Sequence, residues 1–524
     1  MAKAQRNRAA KKKYLSQQQL VLEGFETPFN QKLNGSNRWV VLAQHIPWDT
    51  LASMYNKQMH NKKTGAEGIN PRVALGALIL KHMCNLSDRE TLLHIQENMY
   101  MQYFIGYSSY SNVPPFDPSL FVEIRTRLGG DQINMINEHI IQIMGKHGEE
   151  KRDKNTPSEP PHSESGANLQ STGEIETKPD PTDLTEIKEP NELQEIKVEP
   201  RPFGKMISDA TACPQDIAYP TDLNLLNESR EKSEELIDTL YLLSSLASNK
   251  PRTYRKKARR DYLKTAQKKT KSNKEIRQAL RKQLSYLGRN IKTIHKLLDE
   301  HERIPLNKYQ LNYLFIIQTL YDQQLEMYEN KVHSVAHRIT NIHQPHIRPI
   351  VRGKTTAKVE FGAKIQVSIM QGYTVLDEIS WDPFNEGTRL MGSVENYRRI
   401  FGYYPEKVFV DKIYCTRANR NQLKEKGIEL IAKPLGRPKA VTNHISPGAR
   451  NPIEGKFGQA KTAYGMNRIK ARLKDTSESW IATIIMVLNL VKLAREVPYF
   501  IYRAMLYWLI QGYILIPSYK FARS

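Results

Sequence analysis

The sequence predicts a mixed α/β protein built on one sheet, with an all-helical module ahead of it. Three observations predict this. Residues 38–145 carry only helical patterning. Short alternating segments after residue 201 and after residue 350 have the period of strands. Between those two strand regions lies a long helical excursion, residues 222–345, so the first strand is separated from the rest of its sheet by an insertion.

The bulk numbers limit the function classes. A chain of 524 residues exceeds one ordinary domain and can bury a large core. The formal net charge is +23 and the pI about 9.6, which points to a polyanionic partner, nucleic acid before membrane. The basic start MAKAQRNRAAKKKY is followed by no apolar run of the signal-peptide kind. The apolar stretch 480–516 is interrupted by Lys492, Arg495, Glu496 and Arg503, so it is not expected to span a membrane. Cys84, Cys213 and Cys415 are far apart and form no CxxC pair. A reducing cytoplasm is expected, and a disulfide framework or cysteine zinc site is not.

Each element follows from its residues. Residues 1–30 read as a basic, flexible arm. In residues 31–146 an apolar helix begins at Pro71, turns at Asn85–Ser87, and gives way to a second helix with Ser87 and Glu90 spaced as a capping box. A third helix follows Asp117 and Pro118, bears Arg125 and Arg127, and ends at two glycines. Short helices about a tight turn followed by a basic helix suggest a helix-turn-helix relative whose Arg125 and Arg127 face DNA; a plain helical bundle is the alternative. Residues 147–200 are rich in Pro, Glu, Ser and Thr and read as an acidic, disordered linker.

Residues 201–475 form the α/β unit. RPFGKMISDATACP reads as a strand. The insertion 222–345 reads as two long antiparallel helices with a basic tip, because residues 250–296 carry 18 Lys or Arg against Asp261 and Glu275. KVEFGAKIQVSIMQGYTVLDEISWD reads as a hairpin, KVFVD as a short buried strand, and TRANRNQLKEKG as a helix with Thr416 at its N-cap and Gly427 just past its end. IELIAKP is a further strand. Helices return from about 452, and 476–524 are C-terminal helices.

Three carboxylates sit where such a fold does chemistry. Asp209 lies near the end of the first strand, Asp411 ends KVFVD, and Glu454 opens the first helix after the sheet. Strand ends and adjoining helix starts converge on the crevice of an open α/β sheet. Three acids without cysteine suit hard cations with oxygen ligands, two Mg²⁺ ions or Mn²⁺ in their place, which can cleave a phosphodiester. Each acid has a structural alternative. Asp209 could be a turn residue, with Asp216 or Asp222 as the ligand, although Asp222 reads better as a helix cap, and Asp411 could be a cap. Glu454 could close a capping box, with Asn451 at N-cap and Pro452 at N1. Around Glu454 the stretch 450–474 carries Arg450, Lys456, Lys461, Arg468, Lys470, Arg472 and Lys474, a basic surface for a DNA backbone. His333 and His337 have i, i+4 spacing but lack the rest of a zinc motif.

The blocks SDATACPQDIAYPTDLNLLNESREKSEELID, VFVDKIYCTRANRNQLKEKGIEL and RNPIEGKFGQAKTAYGMNRIKARL resemble those of bacterial insertion-sequence DDE transposases, of the insertion-sequence-five superfamily and its eleven-eighty-two group. NPRVALGALILKHMCNLSDRETLLHIQENMYMQYFIG resembles the N-terminal domain of the same group. The resemblance implies a ribonuclease H-like catalytic fold and a catalytic, metal-binding triad of Asp209, Asp411 and Glu454. The family's third block has an Arg four before its Glu and a Lys seven after, matched by Arg450 and Lys461; Pro447 stands where a Tyr is usual. It further implies terminal inverted repeats and target DNA as double-stranded substrates, hydrolysis followed by 3′-hydroxyl strand transfer, a homodimer or larger synaptic complex, and a bacterial, nucleoid-associated location.

Overall fold

The computed structural model describes residues 32–57, 68–149, 201–243, 249–301, 303–351, 359–432 and 448–514. The expected basic arm 1–30, and the linker from residue 150 to 200, lie outside the described residues.

The N-terminal helices are α1 (Arg38–His45), α2 (Trp48–Lys57), α3 (Pro71–Cys84), α4 (Asp88–Glu97), α5 (Met99–Phe104) and α6 (Leu120–Glu149). Their starts are those the capping residues dictate. Asn70 accepts from Arg72 N ahead of Pro71, and Ser87 and Glu90 close the expected capping box of α4. At Gly129, φ is +64°, so α6 is two helical pieces joined at a turn that only glycine adopts cheaply.

Then come β1 (Lys205–Pro214), α7 (Asp222–Leu243), α8 (Arg255–Ala266), α9 (Asn273–Asp299), α10 (Lys308–Asn330), β2 (Arg348–Val351), β3 (Val359–Met370) and β4 (Tyr373–Ser380). They are followed by α11 (Leu390–Phe401), β5 (Lys407–Phe409), α12 (Arg417–Glu425), β6 (Glu429–Ile431), α13 (Asn451–Thr462) and α14 (Lys474–Ile514). The sheet runs β2-β3-β1-β5-β6, with β4 also on β3. β1 pairs antiparallel with β3, and β3 with β4; β5 lies parallel to β1, and β6 parallel to β5. The hairpin between β3 and β4 turns at Gln371-Gly372, both at positive φ.

One apolar core joins the two ends of the chain. Leu42, Leu78 and Phe121 of the N-terminal helices share it with Ile365 and Val367 of β3 and with Ile484 and Leu488 of α14. The helical module therefore has no separate core: α14 packs between α6 and the sheet. Buried Asn489 of α14 accepts from Thr374 N at 2.8 Å and donates to Asn137 of α6 at 2.8 Å, fixing that arrangement with satisfied polar contacts. The segment 474–494 of α14 is apolar enough to cross a membrane by length and composition, but most of it is buried in this core.

Among its described residues the insertion holds four helices where two were expected. α7, α9 and α10 pack about their own core of Leu226, Ile237, Leu287, Ile294, Ile317 and Leu320. α8 folds back on α9 and buries only Ala258. One of the two extra helices was hidden because α8 has almost no apolar face; its sequence, RKKARRDYLKTA, gives pattern reasoning little to count. Asp222, expected as a cap, instead accepts from Gln324 at 2.8 Å and pairs with Arg338, tying the start of α7 to the far end of the insertion.

Candidate active site

The parallel register of β1 and β5 builds the site. Ile207 pairs with Phe409, and Asp209 and Asp411 each lie two residues further on, so strand alternation sets both on the same face. Asp209 is mostly buried, its side chain 17% exposed, while that of Asp411 is 50% exposed. Asp411 accepts from Lys412 N at 2.7 Å and begins a one-turn 3₁₀ helix, residues 412–414. The cap expected as an alternative to a functional role is thus real, and it leaves the second carboxylate oxygen available.

Arg450, just before α13, reaches both acids. Its guanidinium lies 3.2 Å from Asp209 and 3.0 Å from Asp411. Burial raises the Asp209 pKa, and the nearby charges of Glu386 and Asp411 push the same way; the backbone N–H of Ala210 and the Arg450 cation oppose them. Two carboxylates that repel each other thus share one cation.

α13 crosses this face. Lys461 donates to Thr211 at 2.9 Å, and Thr211 is two residues from Asp209 on the same side of β1. Glu454 is exposed in the first turn of α13. The helix begins at Asn451, with Arg450 at its N-cap, and no side chain closes the cap. The capping-box alternative for Glu454 is therefore not realised, because Asn451 has already entered the helix. Among the described residues no three His, Cys, Asp or Glu side chains gather closely enough to hold a metal ion. The donor chemistry of Asp209 and Asp411 fits a hard divalent cation, but Glu454 does not stand as a preassembled third ligand. The same holds for the histidines: His337 lies 3.6 Å from Asp382, His343 contacts Tyr313, and His346 packs edge-on against Trp381.

A buried polar network supports the two acids from beneath. Gln366 donates to Ser208 at 2.7 Å and accepts from Tyr414 at 3.1 Å, joining β1 to the turn that carries Asp411. Ser368 links Ser208 to Asp377, which also accepts from Ser393 and Asn396. Burial raises the Asp377 pKa to about 6. Every link is satisfied, which makes such a network a rigid spacer. A further acid, Glu386, was not singled out in the sequence. It is paired with Lys364 at 2.9 Å on a turn that presses against residues 412–414. A Cβ on Gly387 would meet Ile413 O at 2.8 Å, so that approach requires glycine. Only the motif NEGT hinted at a turn there; nothing local placed it beside Asp209.

The basic stretch after Glu454 divides. Arg468 pairs with Asp216 at 2.8 Å, while Lys470 and Arg472 are exposed and Lys456 is half-buried. Asp216, the alternative ligand, is thereby engaged away from Asp209. Gly465, at φ +73°, abuts Asn85 in the α3–α4 turn, so the helical module meets this stretch. Arg125 departs from expectation. It is 4% exposed, makes a two-pronged pair with Asp88 at 2.9 and 2.8 Å, and lies over Trp480. Arg127 donates to Tyr55 at 2.7 Å. Arg125 therefore holds α4, α6 and α14 together; the charge that suggested a DNA contact is spent inside the fold.

Comparison with known proteins finds two transposase families. A family described as "Transposase DDE domain" matches residues 408–491, which include Asp411 and Glu454. A second, "Transposase domain (DUF772)", matches residues 27–127. Two transposase matches, one towards each end, support the transposase class. Within that class they support an insertion-sequence DDE transposase. The chain is also similar to an uncharacterized protein, ORF8 in the nfe locus of Rhizobium meliloti, with 30% identity over 97 residues, 18% of this chain and 46% of that protein. The chain thus spans about half the length of the curated relative it matches. No solved structure matches.

Proposed function

We propose that the protein binds the terminal inverted repeats of an insertion sequence and catalyses metal-dependent cleavage and 3′-hydroxyl strand transfer into target DNA. The observation that carries this reading is the convergence of Asp209 on β1 and Asp411, two residues past the end of the adjacent parallel β5, bridged by Arg450 at the start of the helix that bears Glu454. The strand order β4-β3-β1-β5-β6, antiparallel in its first three members and parallel thereafter, supports a ribonuclease H-like fold with an insertion after β1.

Asp209 and Asp411 would hold Mg²⁺ or Mn²⁺, with Glu454 brought in as third ligand when DNA and metal are present. A divalent ion there supplies charge neutralisation and an activated oxygen nucleophile. Arg450 then turns from the carboxylates to the scissile phosphate. Lys461, anchored on Thr211, and the exposed Lys470 and Arg472 hold the DNA backbone on the same side. The α3–α4 turn beside Gly465 supports a helix-turn-helix-like reader of the repeat, lying against the catalytic unit. Two copies would pair the two ends, as a bacterial, nucleoid-associated transposase requires.

The test is a purified chain, a labelled duplex carrying an element end, and Mg²⁺ or Mn²⁺, with products sized on a denaturing gel. Cleavage at the end followed by joined product is expected. Cleavage indifferent to end sequence would replace this reading with a general nuclease.

A further inference from the structure

The insertion carries a cleft between α8 and α9 of about 520 Å³, lined by Tyr254, Lys257, Arg281, Lys282, Tyr286 and Arg289. We propose that this cleft grips a DNA backbone at a site separate from the catalytic one; the proposal rests on the reading that the chain's partner is DNA.

Charge accounting favours it. α8 has six Lys or Arg and one acid, Asp261. That acid is turned inward, accepting from Tyr286 at 2.9 Å and facing Lys282 at 3.5 Å. Arg255 and Arg259 pair with Asp238 and Glu231 on α7. Among the described residues Lys257, Arg281 and Arg289 have no carboxylate partner. Of the four cations that line the cleft, only Lys282 faces an acid, Asp261; the charge of the other three is unopposed.

The cleft is also shaped. The Arg289 guanidinium lies over the Tyr254 ring at 4.7 Å and the Tyr286 ring at 5.0 Å, so it is held flat while its N–H groups remain available. Tyr254 is nearly half exposed yet sits at φ +53°, a left-handed conformation costly for an aromatic residue. That strain is retained where it places a ring against the arginine. Arg281, Ser285 and Arg289 follow one face of α9 at steps of four. The helical rise separates the two arginines by about 12 Å, and a DNA strand presents one charge per roughly 3.4 Å of axis, so the cleft spans three to four phosphates. Arginine, lysine and hydroxyl groups along a line suit phosphate oxygens better than the scattered carboxylates of an acidic peptide. The insertion leaves the sheet at the end of β1, the strand of Asp209, and returns at β2, so DNA held here stays joined to the catalytic unit.

The experiment is fluorescence anisotropy of the full chain on a labelled 30-base-pair duplex over a salt series. The combined variant Lys257→Ala, Arg281→Ala and Arg289→Ala should show a log K against log salt slope shallower by about 3, at ~0.9 per lost phosphate contact. Should it fail to fold by circular dichroism, Lys257→Gln with Arg281→Gln leaves the stacked Arg289 in place and should lose about 2. An unchanged slope in a folded variant would overturn the proposal while leaving the catalytic reading intact. Tighter binding of a poly-glutamate peptide than of the duplex would overturn it in favour of an acidic partner. If the unsubstituted chain binds DNA with no salt dependence, the DNA reading itself fails, and this proposal with it.

Discussion

Asp209 and Asp411, 202 positions apart in the chain, are held by one guanidinium, that of Arg450, at 3.2 and 3.0 Å. The cation stands where two carboxylates converge, and burial has already made one of them reluctant to ionise. The electrostatics of the site are thus those of a cation-binding pair closed by a resident side chain. This arrangement sets the first two predictions.

Asp209→Asn and Asp411→Asn should each reduce end cleavage and strand transfer on the order of 10³-fold or more, because each removes a charged oxygen donor from the reacting site. Duplex binding should persist within a few fold. The Asp209 substitution should not destabilise the fold, since its carboxylate is held in a partly desolvated place. Gel-based cleavage and anisotropy on the same preparations check this; strand transfer at the unsubstituted rate by either variant would refute the assignment.

Arg450→Ala removes the competitor for the carboxylates. Thermal melting with increasing Mn²⁺ should show a larger stabilisation at each concentration than the unsubstituted chain shows, as linkage to a tighter site requires. Without added metal the variant should melt lower, because Asp209 and Asp411 lose their shared cation. Identical Mn²⁺ responses would mean that the guanidinium does not compete for this site.

Glu454→Gln separates chemistry from capping. A helix cap contributes about 1 kcal/mol, but Glu454 makes no such cap here and is exposed. Its substitution should leave the denaturation midpoint unchanged while abolishing cleavage. A drop in stability of about 1 kcal/mol with activity retained would return it to a structural role.

Arg125→Ala should cost about 3 kcal/mol, as expected when one partner of a buried pair is removed and the other is left. Asp88 keeps Lys81 at 3.0 Å, which limits the loss. Urea unfolding measures the cost. DNA affinity extrapolated to fully folded protein should be unchanged, and a specific loss of affinity would reinstate Arg125 as a DNA contact.

His346 should make stability depend on pH. Burial, with Lys474 and Arg348 nearby, lowers its pKa to about 4, and among the described residues its Nε2 has no hydrogen-bond partner. The unfolded chain binds the proton below about pH 6.5. Between pH 6.5 and 4 the unfolded state therefore holds more protons, and stability should fall as pH falls through that window. His346→Gln should flatten the profile between pH 6.5 and 4, measured as urea midpoints; an equally steep profile would assign the dependence elsewhere.

What could be read from the sequence was local. Ser87 with Glu90 and Thr416 with Asn419 are close in the chain, so their caps were legible and are present. The order of strands and helices around Asp209, Asp411 and Glu454 was legible too, because alternation and strand ends are written in short windows. The Arg450 bridge, the Gln366–Tyr414 link and the approach of Glu386 were not. Each depends on strand register and loop packing between segments separated by tens to hundreds of residues, and no local pattern encodes that. Arg125 illustrates the same limit from the other side: its charge was visible, but whether it faced solvent or Asp88 was decided by how α14 closes over the helical module. The sequence by itself determined which residues could do the chemistry and on which elements they ride. Only the tertiary structure decided which charges meet, because a charge pairs with whatever the packed core brings within about 4 Å.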